Sequence, residues 1–210
     1  MSENEYPREA TAVLMVDPYN DMLSEGGIVW PRLKEVAEEV GLLDNLRAIR
    51  STAKAARVRI FIVPHHQWEE SDYAGWQHLN ASQQSTRRNH PFAKGTWGGA
   101  FHSDFAPQDE DIVVQQHWAQ SGFANTDLDM QLKQHGISHV IVVGLIANTC
   151  IESTARYAME LGYHVTLVRD ATAAITREAM RAAHEVSGPT FAHAIVTTKE
   201  LIAALQNRKP

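Results

Sequence analysis

Short, largely apolar runs alternate along this chain with stretches in which apolar residues recur every three to four positions. The runs are strand-sized and fall at residues 11–16, 58–63, 111–116, 139–144, 164–168 and 194–197. Asp17-Pro18 stops the first and Pro64 the second, because proline cannot continue a ladder. Between them, apolar residues recur at Leu33, Val36, Ala37, Val40, Leu43, Leu46, Ile49 and Ala53, a helical period that Gly41 is placed to break, with Pro31 at a first-turn position. Further helices are predicted from Asn125 or Thr126 to His135, from Asn148 or Thr149 to Leu161, from Thr176 to about Gly188-Pro189, and from Thr198 onward. Six strands with helices between most of them predict an α/β fold: a mainly parallel sheet covered on both faces. The unbroken apolar character of strands four and five assigns them interior places in that sheet. Residues 65–110 lack this order and carry Trp68, Tyr73, Trp76, Phe92, Trp97 and Phe101 among polar residues and Gly95, Gly98 and Gly99. Long segments of that kind are often functional, and the aromatic content predicts that this one packs over something.

Composition narrows the class. A chain of 210 residues with 44% apolar and 21% charged residues buries a full core and is expected to form one domain over 1–210, with a polar tail at 1–9. The charge, 19 − 25 = −6, does not suggest a nucleic-acid partner, and Arg87-Arg88 with His90 is too short a basic cluster to change that. No apolar run approaches the roughly 20 residues of a membrane helix, and the polar start does not read as a signal peptide. One cysteine, Cys150, excludes an internal disulfide and favours a reducing, cytoplasmic setting.

In parallel α/β sheets, sites form where strand carboxyl ends lead into helices. That rule selects Asp17 after strand one, His65 and His66 after strand two, His117 after strand three, residues 144–150 after strand four and Asp170 after strand five. Cys150 falls in the first turn of a predicted helix, where free N–H groups and the helix dipole stabilise a thiolate; elsewhere a lone cysteine is a small core residue. Asp170, before Ala-Thr-Ala, reads as a structural turn or cap. A thiol and a carboxylate on neighbouring strand ends fit nucleophile plus general base.

Four stretches carry a resemblance. Val13-Leu-Met-Val-Asp17-Pro-Tyr-Asn-Asp-Met22, Ser121-Gly-Phe-Ala-Asn-Thr-Asp-Leu-Asp129, Gly144-Leu-Ile-Ala-Asn-Thr-Cys150-Ile-Glu-Ser-Thr-Ala-Arg-Tyr-Ala158 and Gly162-Tyr-His-Val-Thr-Leu-Val-Arg-Asp-Ala171 resemble, in order, segments of the isochorismatase-like cysteine hydrolases. The resemblance spans roughly residues 10–200. It implies a three-layer α/β/α, Rossmann-like fold around a six-stranded sheet, a triad of Asp, Lys and Cys, hydrolysis of amide, carbamoyl or related C–N bonds, and assembly as dimers or tetramers. Residue by residue, Asp17 matches the general base, Cys150 the nucleophile, and the backbone N–H groups of Ile146 and Cys150 the oxyanion hole. A cis peptide is implied at Leu145–Ile146.

The lysine is missing. The resemblance sets His117 at its position, and histidine, with a reference pKa near 6.5, supplies a cation only when protonated. Three readings stand: His117 takes the lysine's place, Lys94 reaches in from the long segment, or the triad is impaired. The implied reaction has Asp17 take the thiol proton, the thiolate form a thioester, and water release it. Alternatives are vinyl-ether hydrolysis by acid–base chemistry and a non-catalytic binding or assembly role. No GxGxxG or GxxxxGK[ST] motif supports a nucleotide. Zinc-binding relatives carry an Asp-x-His pattern after strand two that His65-His66, with His78 and His90 beyond, does not match. Neither a metal nor a cofactor is therefore expected. Tyr19, where relatives commonly carry glutamine, with Trp97, Trp118 and Phe123, is expected to wall a pocket for a small-molecule substrate.

Overall fold

The computed structural model describes residues 6–207. Six parallel strands, β1 (Thr11–Val16), β2 (Arg59–Val63), β3 (Ile112–Val113), β4 (His139–Leu145), β5 (His164–Ala173) and β6 (Ala194–Val196), form one sheet in the order β3-β2-β1-β4-β5-β6. Every pairing is parallel. The central strands are apolar on both faces because both are covered: β1 is buried at all of its residues and β4 at all but the first. One layer packs Leu33, Val36, Leu46 and Ile49 against Val13, Met15, Ile141 and Val143, and the other packs Leu128, Leu132, Ile151 and Ala155 against Leu14, Val16, Val140 and Val142. The sheet and its two layers are those expected.

The long helical period is two helices, α2 (Trp30–Val40) and α3 (Leu42–Ala55), separated at Gly41, whose φ of 69° suits glycine; Pro31 sits in the first turn of α2. Before them, α1 (Asn20–Leu23) is a single turn that no periodicity could reveal. Two further helices differ at their starts. The helix expected from Asn125 or Thr126 is α5 (Leu128–Gln134), because Asn125 is left-handed at φ 59° and the Thr126 hydroxyl donates to the Gly122 carbonyl. The helix after β4 opens as a π-helical turn at Ala147–Ile151 and continues as α6 (Glu152–Glu160). Thr176 caps α7 (Arg177–Arg181) as expected, and α8 (Thr198–Gln206) begins on a capping box of Thr197 and Glu200. Asp170 proves structural: its carboxylate accepts from the Thr198 N–H and hydroxyl.

The segment 65–110 does pack over the sheet's carboxyl end. It contains a helix missed in the pattern, α4 (Ala81–Asn89), which is polar after Ala81 and held by an Asn80–Gln83 capping box rather than by an apolar face. Phe92 and Phe105 join the core, and Tyr19 bridges to Phe101. The third strand is shorter than the run at 111–116, since an edge strand has one neighbour and Gln115 and Gln116 bond instead to Asp127 and Gln67. Of the tail expected at 1–9, part lies outside the described residues. Tyr6 within it is buried and meets Thr166, so the tail is not free at that point. No helix among the described residues is long and apolar enough to cross a membrane.

Candidate active site

The strand order reverses direction between β1 and β4, and a parallel sheet opens a crevice at that switch point. Asp17 leaves β1 there and the nucleophile segment leaves β4. Gly144, paired with Val16, has a φ of 111°, and a Cβ on it would lie 2.2 Å from the Val16 carbonyl oxygen. Only glycine therefore lets the two strands approach so closely beside the site. Asp17 is itself left-handed, at φ 55°, a conformation that aspartate tolerates better than most side chains. Its N–H donates to the Val63 carbonyl and its own carbonyl accepts from Tyr19, which fixes where the carboxylate points.

His117 starts two strands away and is carried inward past the end of β2. Its N–H donates to the Pro64 carbonyl, and its carbonyl accepts from His66. Its Nε2 lies 2.9 Å from Asp17 Oδ1, with both side chains fully buried. A carboxylate oxygen of Asp17, an imidazole nitrogen of His117 and the Cys150 sulfur all lie within 4.8 Å of one another. Asp17 Oδ2 and His117 Nδ1 are buried without a hydrogen-bond partner.

Cys150 sits in the π-helical turn, 6% exposed. The Leu145–Ile146 peptide before it is cis, as the resemblance implied. The Ile146 N–H and the Thr149 hydroxyl donate toward the sulfur, and the thiol faces the Ala119 carbonyl at 3.8 Å. The helix start was expected to favour a thiolate. In the structure burial comes first, then the negative charge and hydrogen bond of Asp17, and together they push the thiol well above its ordinary value. The resting sulfur is therefore a thiol.

The other expected residues divide. Lys94 is exposed and paired with Glu69 at 2.8 Å, so it does not reach this buried trio. Tyr19 is 1% exposed, stacked between Phe92 and Phe101, with its hydroxyl donating to the His65 carbonyl. Phe123 is likewise buried, against Tyr157 and Tyr163. Trp97 is exposed and stands near Gly26. Trp118, next to His117, stacks on His66 at 3.7 Å and neighbours Trp76 and Tyr73. His66 is tied to Asp72 at 2.8 Å, and His65 turns its ring edge-on to His117 at 5.1 Å. Burial holds His65 neutral below the usual imidazole value. The pattern of residues did not reveal Asp21, which is buried and binds the loops around the crevice by accepting from Ile28 and Phe92.

Fold and site together define a class: parallel α/β proteins that gather a thiol, a carboxylate and a basic group at the sheet's switch point. The family model of the isochorismatase domain matches residues 11–200, and the chain belongs to that family. Among its relatives, a ureidoacrylate amidohydrolase, RutB, of Agrobacterium fabrum is 34% identical over 176 residues, 77% of this chain and 75% of the relative. The crystal structure of a cysteine hydrolase from Pseudomonas syringae pv. phaseolicola superposes with a TM-score of 0.76 at 23% identity, covering 98% of this chain and 99% of that one. An isochorismatase-like hydrolase from Alkaliphilus metalliredigens gives a TM-score of 0.72 at 27% identity, covering 93% and 98%.

Proposed function

We propose that this protein is a cysteine hydrolase that cleaves a small amide, carbamoyl or ureido C–N bond through a thioester on Cys150. The observation that carries the reading is the buried Asp17–His117 pair at 2.9 Å with the Cys150 sulfur beside it. The likeness to an amidohydrolase of ureidoacrylate supports the bond type. Asp17 takes the thiol proton as the sulfur attacks the carbonyl carbon. The Ile146 and Cys150 amides hold the oxyanion, the C–N bond breaks, and Asp17 returns the proton to the leaving nitrogen. Water then attacks the thioester, giving the acid and restoring the thiol. His117 donates to Asp17 Oδ1 throughout, orienting the carboxylate where the family's lysine would stand. Trp118 and Trp97 are read as walls and rim of the pocket. The protein is further read as a single cytoplasmic domain over 1–210, its one cysteine kept reduced, and as a homo-oligomer; exposed Tyr157 on α6 and Leu161 just past its end suit such a contact.

The test is a panel of small amides and ureido compounds offered to the wild type and to Cys150→Ala. Wild type should turn over at least one member and form a covalent adduct visible by mass spectrometry, and the variant should lose both, with activity down about 10³-fold or more. Vinyl-ether hydrolysis by acid–base chemistry is the second reading, favoured by the thiol's resistance to ionisation. It requires that Cys150→Ala keep its activity.

A further inference from the structure

We infer that Asp17, His117 and Cys150 also form a binding site for a thiophilic divalent cation such as Zn²⁺, and that occupancy shuts the protein off. The three side chains are the only group of metal-capable donors that converge among the described residues, with one atom from each lying within 4.8 Å of the others. Carboxylate, imidazole and thiolate make up a familiar zinc donor set, at bond lengths of about 2.0–2.3 Å. Donors around a tetrahedral ion at those lengths stand roughly 3.3–3.7 Å apart, so the sulfur needs to close on the other two by at most about 1.5 Å, while the His117–Asp17 pair, 2.9 Å apart, opens by about half an ångström.

The site rests on more than proximity. Asp17 is fully buried, yet its Oδ2 has no hydrogen-bond partner, which leaves a carboxylate lone pair free for a ligand. A lysine at position 117 would present an ammonium with no lone pair and would repel a cation; an imidazole presents a neutral nitrogen ligand. The residue that departs from the family's pattern is thus the one that completes the donor set. His65 and His66 do not join it: His66 is held by Asp72, and the His65 Nδ1 is held by the His66 carbonyl. On binding, the thiol proton leaves to solvent and an S–metal bond replaces the S–H bond. The hydrogen bond between His117 and Asp17 is exchanged for two bonds to the metal: the Nε2 proton that made it is given up through solvent, and the neutral imidazole carries its single proton on Nδ1. That nitrogen finds no second partner in the fold, which makes the cation reversible rather than structural.

Binding stands apart from the hydrolase reading; inhibition rests on it. The test uses the full chain with Co²⁺ or Zn²⁺ alone. One equivalent of Co²⁺ should give a near-ultraviolet thiolate-to-metal band and intense visible bands of tetrahedral cobalt. Cys150→Ser and His117→Lys should lose the near-ultraviolet band, with circular dichroism confirming that each is folded. Because Cys150 is the sole thiol, iodoacetamide reports on it without ambiguity. Stoichiometric Zn²⁺ should slow its modification about tenfold or more, and EDTA should restore the rate. Cobalt bound without a thiolate band, a band that survives His117→Lys, or alkylation indifferent to Zn²⁺ would each overturn the site, and the last needs no variant to fold. A thiolate band in a protein that hydrolyses no amide would leave the metal site standing and remove the hydrolase reading. Amide turnover without the band would do the reverse.

Discussion

At Cys150 two tendencies oppose each other. The first turn of a helix offers N–H groups that favour a thiolate, whereas burial and the charge of Asp17 favour the thiol, and the second pair prevails. Ionisation must therefore be coupled to proton transfer onto Asp17 rather than occur in advance. Iodoacetamide should accordingly react slowly with the wild type up to pH 8 and gain speed only above the range of an ordinary cysteine. Asp17→Asn keeps the side chain's shape and its tolerance of a positive φ but removes the negative charge. The variant should alkylate faster than wild type at neutral pH, since a repelling charge has gone, and yet hydrolyse about 10²–10⁴-fold more slowly, since the base has gone. Thiol acidity and turnover moving in the same direction would show that Asp17 only holds structure.

Among the elements, the segment 65–110 is the part whose stability must be supplied from elsewhere, because it forms no ladder and its one helix has no buried residue. Arg50, buried on α3, supplies a large share. Its guanidinium donates to the carbonyls of Phe105 and Ala106 and to Asp111 Oδ2 at 2.6 Å, closing the segment's end onto the helix layer. Arg50→Ala leaves a buried carboxylate and two carbonyls unpaired and should cost about 3–5 kcal/mol in urea unfolding at pH 7, whereas removing a surface pair such as Arg177 with Glu39 should leave the urea midpoint nearly unmoved. This anchoring also marks where the sequence could be read and where it could not. Apolar runs fix strands β1, β4 and β5 because burial on both faces leaves a plain signature. α1 escapes it because one turn is too short to show a period, and polar α4 and the truncated β3 escape it because side-chain hydrogen bonds set their limits. The same holds at the site. Asp17, His117 and Cys150 were legible as strand ends, and the resemblance gave them roles. The burial of Tyr19 and Phe123 was not legible, since an aromatic residue near a strand end reads alike whether it lines a pocket or fills the wall.

On the scale of the molecule, the two ends of the sheet respond to different ranges of pH. The carboxyl end holds the buried thiol, whose raised pKa contributes stability that is intact below about pH 9 and fades above it, as the unfolded chain ionises and the native one does not. The amino end holds a ladder of imidazoles: His139, His164 and His193 begin or precede β4, β5 and β6, with ring centroids 4.8 and 4.6 Å apart. Burial, then the neighbouring imidazoles, hold His164 below the usual histidine value, and burial does the same for His139. Burial also lowers His65, His102 and His184. Well above pH 6.5 each of these groups is neutral in both states. Below it the unfolded chain binds protons that the native fold refuses, so stability must fall as the pH drops toward 5, before most carboxylates begin to titrate. Each displaced proton steepens that fall by up to about 1.4 kcal/mol per pH unit. His164→Phe keeps the stack, removes the buried Nδ1 that has no partner, and takes the central charge out of the ladder. Its urea midpoint should equal or exceed that of the wild type at pH 7, and the gap should widen in favour of the variant at pH 5.5. Curves that stay parallel across that interval would mean that the ladder carries no part of the acid sensitivity, leaving it to the histidines nearer the crevice.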